Sequence, residues 1–458
     1  MWIIAGFAFL YWLAGFPLLF DRLVCPFQVA QGEAANVEFG RILARGENLY
    51  FDPAHGPFLY PAYPPLFPLL LCFLSKLLSA PFFPGRLLAL SGYLACGGLL
   101  LAWGWRRWDK AWCAALLFLF WVSPTGRVWG TMGRMDTLLL AVEFGAFLLL
   151  YGDDEKKGRR LPLAAALSAL ALLLKQSALI LLMAYSVSAI RKGDYRVLAR
   201  FLAFSLVPVA AAYLLLQWSS GGWFFFWNFR ALPLTFHWSG FFYYLRAAVV
   251  PEEGWLFLAV GLTLILRDLR PLLKWQLFFS FLLLLALGRE GAAENYLLEP
   301  WLYGIFALGE GWGRVVGKSK APSWAGWTVA CLLLVGLLLF LVRPLPRLPS
   351  REEMAMKSSA LSIYRQPGEH LALDADLPLM AGKKVWIMPM EYTAMVESGK
   401  LDMGPFLKAI RERKFATIEL YDLDRQYLLP AKAVEAVEAS YQVAFKGFGR
   451  RWYVPRVR

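Results

Sequence analysis

The 458-residue sequence has few charged residues, only three histidines and only five cysteines. Charged residues make up 17% of the chain and hydrophobic residues 59%, whereas soluble domains contain about 25% charged residues. This shortage of charge excludes an ordinary soluble enzyme and indicates that most of the chain lies in lipid. The N-terminal run has neither a basic n-region nor a small-residue cleavage site, so we expect it to remain as a membrane span.

The shortage of cysteine and histidine excludes two further kinds of structure. The cysteines are odd in number, scattered and mostly within apolar runs, so they predict neither a disulfide framework nor a metal site. A glycine-rich phosphate loop and a nucleophile elbow are also missing from any suitable context. We therefore predict no metal-binding residues and no certain cofactor, and a divalent cation stays possible without support from the sequence.

Positive charge is in excess, with a formal net charge of +14. In a soluble protein this would suggest a nucleic-acid partner. Here the basic residues form short clusters between apolar runs, which is the pattern that membrane topology imposes, so we predict contact with membrane lipids and no nucleic-acid partner. The five clusters lie at 105–110, 152–160, 191–200, 267–274 and 313–320.

Twelve apolar runs accompany these clusters. All five clusters become cytoplasmic, as the positive-inside rule prefers, if the N-terminus is cytoplasmic and the run at 64–80 does not span. That run starts with prolines and contains Lys76, so we expect a helix in the outer membrane interface. The sequence thus predicts about eleven transmembrane helices in the cytoplasmic membrane, with the C-terminus outside. The other runs are 2–19, 86–104, 111–123, 137–151, 161–174, 177–190, 201–217, 254–266, 276–288, 296–312 and 324–342.

The composition of the chain changes near residue 343. Residues 1–342 are predicted to form the transmembrane domain, with a first external loop at 21–85. Residues 343–458 alternate strand-like and helix-like segments, and the span count places them outside, in the periplasm or the extracellular space. The predicted fold class is an all-α polytopic membrane protein with a small C-terminal extramembrane α/β domain.

The first external loop contains the leading candidate for a catalytic base. Residues 32–46, "GEAANVEFGRILARG", are predicted to form a short helix that ends at Gly46. Glu33 begins this helix, where the macrodipole favours an ionised carboxylate. Glu38 has a local partner in Arg41, whereas Glu33 has no such partner within a turn ahead. Glu33 is therefore either an N-terminal helix charge or a general base that faces a cavity.

A second acidic residue lies at the predicted external end of a membrane span, in "GRMDTLLLAVEFGAFLLLY". Asp136 immediately precedes the apolar run, and Arg134 lies beside it. The two residues form either an interface anchor or local ion pair, or a site for phosphosugar chemistry, because the planar fork of arginine binds phosphate bidentately.

The apolar run at 161–190 is interrupted by Lys175 and Gln176. Because basic clusters flank both ends, we expect a hairpin with these two residues at its tip. Each arm of roughly 14 residues is about 21 Å long, against a hydrocarbon core of about 30 Å, so the tip lies below the outer surface. Backbone at that depth is covered by protein or lines a water-filled cavity. Lys175 is either a functional residue in that cavity or a lysine neutralised by a buried acid.

The segment "GREGAAENYLLEPW" lies at the predicted external end of another span and contains Asn295, Tyr296 and Glu299. An amide, a phenol and a carboxylate suit the hydroxyl groups of a sugar. An interface belt of polar and aromatic residues is the alternative interpretation.

Taken in order, five segments resemble the GT-C membrane glycosyltransferases. They are "GEAANVEFGRILARGENLY", "YPPLFPLLLCFLSKLL", "GRMDTLLLA", "LLKQSALILL" and "ENYLLEPW". The resemblance is strongest to the bacterial branch of lipid A aminoarabinose transferases and protein O-mannosyltransferases. It covers nearly the whole chain and depends on the order and spacing of the segments.

The resemblance implies a polyprenyl-phosphate-linked sugar donor, a cavity at the outer leaflet and an acidic base in the first external loop. On this chain the base would be Glu33 and the second acid Asp136, and Tyr63 would bind substrate beside the proline-rich juxtamembrane segment. Many relatives have an Asp-Glu pair where this chain has Gly32 and Glu33. The dyad is therefore incomplete, which leaves metal dependence open.

These observations lead to the hypothesis of an inverting, base-assisted glycosyltransferase that moves a sugar to a glycan, lipid or protein acceptor on the outer face. Glu33 and Asp136 are its candidate catalytic residues. A transporter or flippase of polyprenyl-linked sugars is the main alternative, and a non-catalytic envelope scaffold is a third. The candidates for substrate binding are Arg134, Lys175, Gln176, Tyr63, Asn295, Tyr296 and Glu299.

Overall fold

The structure is a computed structural model of the 458-residue chain. It describes residues 1–152, 158–231, 235–246, 254–289, 291–313, 323–342, 348–421, 428–447 and 449–456. The described part is mostly helical. Its helices are α1 (Trp2–Ala14), α2 (Phe16–Val24), α3 (Glu33–Ala44), α4 (Leu66–Leu74), α5 (Phe83–Gly104), α6 (Lys110–Val122), α7 (Pro124–Trp129), α8 (Asp136–Tyr151), α9 (Leu161–Leu174), α10 (Leu179–Lys192), α11 (Tyr195–Ser219), α12 (Trp223–Phe225), α13 (Trp238–Tyr244), α14 (Gly254–Leu266), α15 (Pro271–Leu283), α16 (Leu298–Trp312), α17 (Ser323–Val342), α18 (Arg351–Tyr364), α19 (Asp376–Met380), α20 (Pro389–Glu397), α21 (Gly404–Arg411) and α22 (Ala431–Ser440).

Each apolar run of the sequence contains helix, although the run at 64–80 is helical only over Leu66–Leu74. Among the described residues, four stretches are both long and apolar enough to cross a membrane: Trp2–Val24, Phe83–Gly104, Tyr195–Ser219 and Pro271–Gly288. Shorter apolar helices are found at Lys110–Val122, Leu161–Leu174, Gly254–Leu266 and Trp327–Phe340. The chain is therefore a multi-pass membrane protein with four clear spans, and the figure of eleven goes beyond what these lengths establish.

Helix α4 occupies the run at 64–80 that was expected not to span. It has nine residues, which at 1.5 Å per residue is about 13 Å and too short to cross the hydrocarbon core. Phe67 and Leu71 are buried, whereas Leu69 and Phe73 on the opposite side are about half exposed or more. This distribution is typical of a helix that presents one apolar face to lipid.

The chain divides into two compact units. The first unit comprises Met1–Leu23, Arg86–Ala211 and Leu234–Arg347. Within it α1 packs on α6, α8 on α9, α10 on α15, and α14 on both α16 and α17. Aromatic side chains fill the space between α8 and α16, where Phe147 makes edge-on contacts with Tyr303 and Phe306 at centroid distances of 4.9 and 5.5 Å.

One carboxylate joins four segments of the first unit. Glu310 on α16 accepts hydrogen bonds from the indole N–H groups of Trp103 and Trp108, at 3.0 and 2.9 Å, and from the hydroxyl of Tyr151 at 3.0 Å. Because each donor is satisfied by the same side chain, Glu310 ties the ends of α5, α8 and α16 to the segment before α6.

The second unit comprises Val24–Gly85, Ala212–Pro233 and Leu348–Arg458. It contains the four-stranded sheet, in the order β1-β2-β4-β3, in which β1 and β2 are parallel and the other pairs antiparallel. The α/β character predicted for the C-terminal segment is thus confirmed. The strands are β1 (Glu369–Leu371), β2 (Phe415–Tyr421), β3 (Tyr441–Gly447) and β4 (Arg450–Pro455).

The first external loop and the C-terminal segment share one hydrophobic core in the second unit. Phe58 is 6% exposed and makes edge-on contacts with Tyr392 and Phe406, at centroid distances of 5.4 and 4.8 Å. Its backbone N–H donates to the carbonyl of Trp386 at 2.7 Å. Phe58 also forms an isolated parallel bridge with Ile387.

Candidate functional site

One face of helix α8 carries the polar residues of a cavity in the first unit. Asp136, Leu139, Leu140 and Glu143 all line this cavity. They follow the spacing i, i+3, i+4 and i+7, which places them on one side of an α-helix. The first turn of α8 therefore presents one carboxylate to the cavity, and the residue two turns further on presents a second.

The cavity has a volume of about 30 Å³. This is enough for one or two water molecules and too small for a complete sugar ring. Acidic, basic and amide side chains alternate with leucines along its wall. The remaining lining residues are Lys175, Ser177, Leu283, Asn295, Tyr296, Leu298 and Glu299.

Asp136 is the centre of a buried group of polar side chains. Its Oδ1 atom accepts hydrogen bonds from Lys175 Nζ at 2.7 Å and from Asn295 Nδ2 at 2.8 Å. Arg134 Nε lies 3.5 Å from Oδ2. The side chains of Lys175 and Asp136 are only 6% and 5% exposed. The structure therefore brings four of the predicted residues together and gives Lys175 the buried acidic partner that the sequence left open.

Lys175 lies at a break between two helices, as predicted. Its backbone is extended, with φ −160° and ψ 142°, between α9 and a 3₁₀ turn at Gln176–Ala178. The lysine Nζ also lies 5.4 Å from the ring centroid of Tyr296, within the range of a cation–π contact. Gln176, by contrast, is half-buried, and among the described residues of this turn it is Ser177 that lines the cavity.

A second polar group, which the sequence interpretation missed in part, lies on the same cavity. Gln276 Nε2 donates to Glu143 Oε1 at 3.1 Å and to Glu299 Oε1 at 3.0 Å. Ser280 Oγ lies 3.0 Å from the same oxygen of Glu299. Glu299 was predicted, but Glu143 and Gln276 were not. A lone carboxylate seven residues after Asp136 in an otherwise apolar run was the signal that would have identified Glu143.

Glu33 and Tyr63 belong to the second unit. Glu33 is the first residue of α3, as predicted, and is 1% exposed. Its Oε2 atom accepts a hydrogen bond from the backbone N–H of Val29 at 2.8 Å. Tyr63 is half-buried, and its carbonyl accepts a hydrogen bond from the hydroxyl of Tyr50 at 2.8 Å.

The end of α3 follows the expected pattern. Gly46 has φ +73°, and the N–H groups of Gly46 and Glu47 donate to the carbonyls of Leu43 and Ile42. This is the Schellman arrangement, in which a left-handed glycine lets two orphan carbonyls be satisfied.

Arg41, the local partner expected for Glu38, still interacts with it electrostatically but does not form its ion pair. Glu38 Oε1 pairs with Arg45 Nη2 at 3.1 Å, seven residues on, while Arg41 Nη1 donates to the carbonyl of Leu379 at 3.1 Å. A tertiary acceptor on α19 therefore replaces the i+3 partner. Burial raises the pKa of Glu38, and Arg45 opposes this shift.

A metal centre does not emerge from the described residues. No group of three or more His, Cys, Asp or Glu side chains is placed to hold an ion within them.

The sequence of the chain matches no family model, and no curated protein matches it. Solved structures do match its fold. ArnT from Cupriavidus metallidurans in the apo state is 17% identical, with a TM-score of 0.65, over 98% of this chain and 97% of that one. ArnT bound to undecaprenyl phosphate is 16% identical, with the same TM-score and 98% coverage of both chains.

Two longer proteins are also similar in fold. The arabinofuranosyltransferase AftD from Mycobacteria is 17% identical, with a TM-score of 0.54, over 99% of this chain and 40% of that one. The archaeal oligosaccharyltransferase AglB from Archaeoglobus fulgidus, in complex with an inhibitory peptide and a dolichol-phosphate, is 12% identical, with a TM-score of 0.53, over 99% of this chain and 74% of that one. The chain therefore shares the fold of these solved structures, which confirms at the level of the fold the resemblance seen in the sequence motifs.

Proposed function

We propose that this chain is a membrane glycosyltransferase. It moves a sugar from a polyprenyl-phosphate-linked donor to an acceptor on the outer face of the cytoplasmic membrane, with inversion at the anomeric carbon. The fold supports this proposal, since it is shared with a protein named as an arabinofuranosyltransferase and another named as an oligosaccharyltransferase. Structures of this fold that contain undecaprenyl phosphate and dolichol-phosphate support a lipid-linked donor.

The observation that carries the proposal is the buried pair of Lys175 and Asp136 on the cavity. Removing two charges from water costs several kcal/mol per ion before their attraction is counted, and apolar packing would hold two helices together without this cost. Ionisable side chains within a membrane bundle therefore indicate function by default. Lys175 and Arg134 supply the positive charge that a donor phosphate requires.

The reaction needs one base and no acid. Glu33 is the proposed base: it takes the proton of an acceptor hydroxyl as that oxygen attacks the anomeric carbon. The bond from this carbon to the phosphate oxygen breaks, and the polyprenyl phosphate leaves with the electron pair. Asp136 assists by holding Lys175 and Asn295. Because phosphate is a stable leaving group, the second carboxylic acid that glycosidases use is unnecessary.

Binding of the bare lipid phosphate tests the proposal directly. The full chain in nanodiscs is titrated with undecaprenyl phosphate, and the Lys175→Met variant is compared with Lys192→Met, an exposed lysine at the end of α10. Loss of a charge-assisted hydrogen bond of about 1.5–3 kcal/mol predicts a drop in affinity of roughly 10- to 100-fold for Lys175→Met. The Lys192→Met variant should bind like the wild type.

Product formation separates transfer from transport. In liposomes that contain a polyprenyl-linked sugar and candidate acceptors, the proposed enzyme forms a glycosylated product and free polyprenyl phosphate. Movement of the donor between leaflets without product would establish the flippase alternative instead. Failure of the wild type to bind undecaprenyl phosphate at all would overturn the proposed function.

A further inference from the structure

The end of the cavity around Glu143 and Glu299, here called the inner end, contains a pair of carboxylates that the reaction described above does not use. Glu143 on α8 and Glu299 on α16 are 1% and 7% exposed, and both accept hydrogen bonds from the single amide of Gln276 on α15. Three helices thus contribute to one polar group. The hydroxyl of Ser280, one turn after Gln276, lies within hydrogen-bond distance of Glu299 Oε1.

Packing alone does not account for these residues. The neighbouring interior positions of α8 and α16 are aromatic, and Phe144 lies 5.7 Å from Tyr303 and 5.6 Å from Phe306 between ring centroids. A carboxyl group in such surroundings is costly unless its oxygens are satisfied. An aliphatic side chain at position 143 would fill the same space at lower cost, so the carboxylates have a use that packing does not supply.

The cavity is polarised along its length. Lys175 and Arg134 surround Asp136 at the start of α8, and Glu143 lies seven residues further along the same helix. At 1.5 Å per residue this is about 10 Å along the helix axis. Positive charge therefore lies at one end, and hydrogen-bond acceptors lie at the other.

The acceptor capacity of the inner end favours hydroxyl groups as ligands. An ionised carboxylate offers about four lone-pair sites and no donor. Gln276 donates to Oε1 of Glu143 and to Oε1 of Glu299, and the two carboxyl groups are also hydrogen-bonded to each other. A pair that shares one proton keeps a single negative charge and has acceptor lone pairs that hydroxyl groups can use. Phosphate would be repelled here, whereas hydroxyl groups would donate. The volume of about 30 Å³ corresponds to one or two water-sized groups.

We propose that Glu143 and Glu299 form a subsite that binds hydroxyl groups of the donor's sugar, and that Gln276 positions the two carboxylates for this contact. The inference rests on the proposed function, because it requires that a lipid-linked sugar enters the cavity. It extends that function by assigning recognition of the sugar to the inner end and recognition of the phosphate to the end around Lys175.

The test compares two ligands that differ only in the sugar. The full chain in nanodiscs is titrated with undecaprenyl phosphate and with a panel of undecaprenyl-phosphate-linked pentoses and hexoses. The wild type should bind at least one sugar-linked lipid about tenfold or more tightly than the bare lipid phosphate, since two hydrogen bonds to charged groups are added. If no sugar increases the affinity, the subsite is excluded.

The variants Glu143→Gln and Glu299→Gln should lose this sugar-dependent gain and bind undecaprenyl phosphate within about twofold of the wild type. Gln276→Met removes the positioning amide and should have the same selective effect, with KM for the donor rising more than kcat falls. The matched control is Glu310→Gln, which alters a carboxylate on the same helix α16 that does not line the cavity. It should keep both affinities.

Three outcomes overturn the inference. The sugar-dependent gain persists in Glu143→Gln and Glu299→Gln, or both ligands lose affinity equally in them, or Glu310→Gln behaves in the same way as they do. If the wild type does not bind undecaprenyl phosphate at all, the result is a different one and refutes the proposed function itself. Thermal unfolding of each variant identifies any that fail to fold, and Gln276→Met then provides the test by itself.

Discussion

At the scale of single residues, Lys175 and Asp136 neutralise each other within the first unit. A buried pair of this kind contributes little net stability when it is complete. Removing only one of the two side chains is costly, because the charge of the other then stays buried without compensation. When Lys175 is removed, Arg134 can balance part of the charge of Asp136. Asn295 cannot, because its amide is neutral.

A double-mutant cycle measures this coupling. Asp136→Asn and Lys175→Met should each destabilise the protein by about 3–5 kcal/mol, whereas the double variant should lose clearly less than the sum of the two. Thermal unfolding in detergent gives the values. Additive losses would mean that the two side chains do not depend on each other in the folded protein.

The Glu33→Gln variant distinguishes a role of Glu33 in folding from a role in the transfer reaction. The Glu33→Gln variant keeps an oxygen that can accept the N–H of Val29, but its amide cannot take a proton at neutral pH. It should therefore unfold at nearly the wild-type temperature, bind undecaprenyl phosphate normally and lose at least about 100-fold in transfer rate, the usual contribution of a general base. Glu47→Gln, which changes an exposed carboxylate just after α3, is the control. Full transfer activity in Glu33→Gln would remove this residue from the mechanism.

At the scale of elements, the second unit joins α18, β2 and β4 through a buried network of charges. Lys357 Nζ donates to Asp376 Oδ2 at 2.7 Å, and Arg450 pairs with both Asp374 and Glu419. Three acids thus face two bases away from water. Burial raises the pKa of Asp374, but Arg450 and Lys357 outweigh it and hold this pKa below its ordinary value. Burial raises the pKa of Glu419 to about 7, although Arg450 opposes the shift.

These two shifts act on stability in opposite directions. Because the pKa of Asp374 is lowered in the folded state, its contribution is present at neutral pH and is lost as the pH falls through that lowered pKa. Because the pKa of Glu419 is raised, its protonated form favours the folded state below the ordinary pKa of 4.5, and this contribution is lost as the pH rises through about 7.

The pH dependence of unfolding tests the role of Glu419. The unfolding temperature of the wild type should fall between about pH 4.5 and pH 7, and Glu419→Gln should flatten this decline, since an amide does not titrate. Glu438→Gln is the control, because its carboxylate on α22 is half exposed and pairs with Arg451 of β4. An identical decline in wild type and Glu419→Gln would show that other groups set the slope.

At the scale of the whole molecule, the positive-inside argument assigns each exposed segment to one side of the membrane. The basic cluster at 191–200 is expected inside, and residues 343–458 outside. Neither assignment follows from the helix lengths, because four spans are clear and the remaining apolar helices are shorter. The topology therefore stays a prediction.

Cysteine labelling in cells tests this topology. In a variant without its native cysteines, Lys400→Cys should react with a membrane-impermeant maleimide in intact spheroplasts, and Lys192→Cys should react only after lysis. Both side chains are exposed, so differences in reactivity report the side of the membrane. Labelling of Lys400→Cys only after lysis would contradict the outer placement of the C-terminal segment.

The sequence by itself determined where the helices lie, because each apolar run must bury its backbone in helix wherever lipid replaces water. It also determined the break at Lys175, since a charged residue between two short arms cannot lie in hydrocarbon. The start of α3 at Glu33 and its termination by the left-handed Gly46 followed from local capping rules.

Only the tertiary structure decided which side chains meet. Asp136 contacts residues 39 and 159 positions away, and Gln276 reaches Glu143 across 133 positions. Phe58 likewise completes a core formed by the C-terminal segment. Periodicity and capping act over a few residues, whereas the pairing of buried charges depends on how distant helices pack. The sequence therefore identified Lys175 as a residue that needs a partner, and packing supplied Asp136.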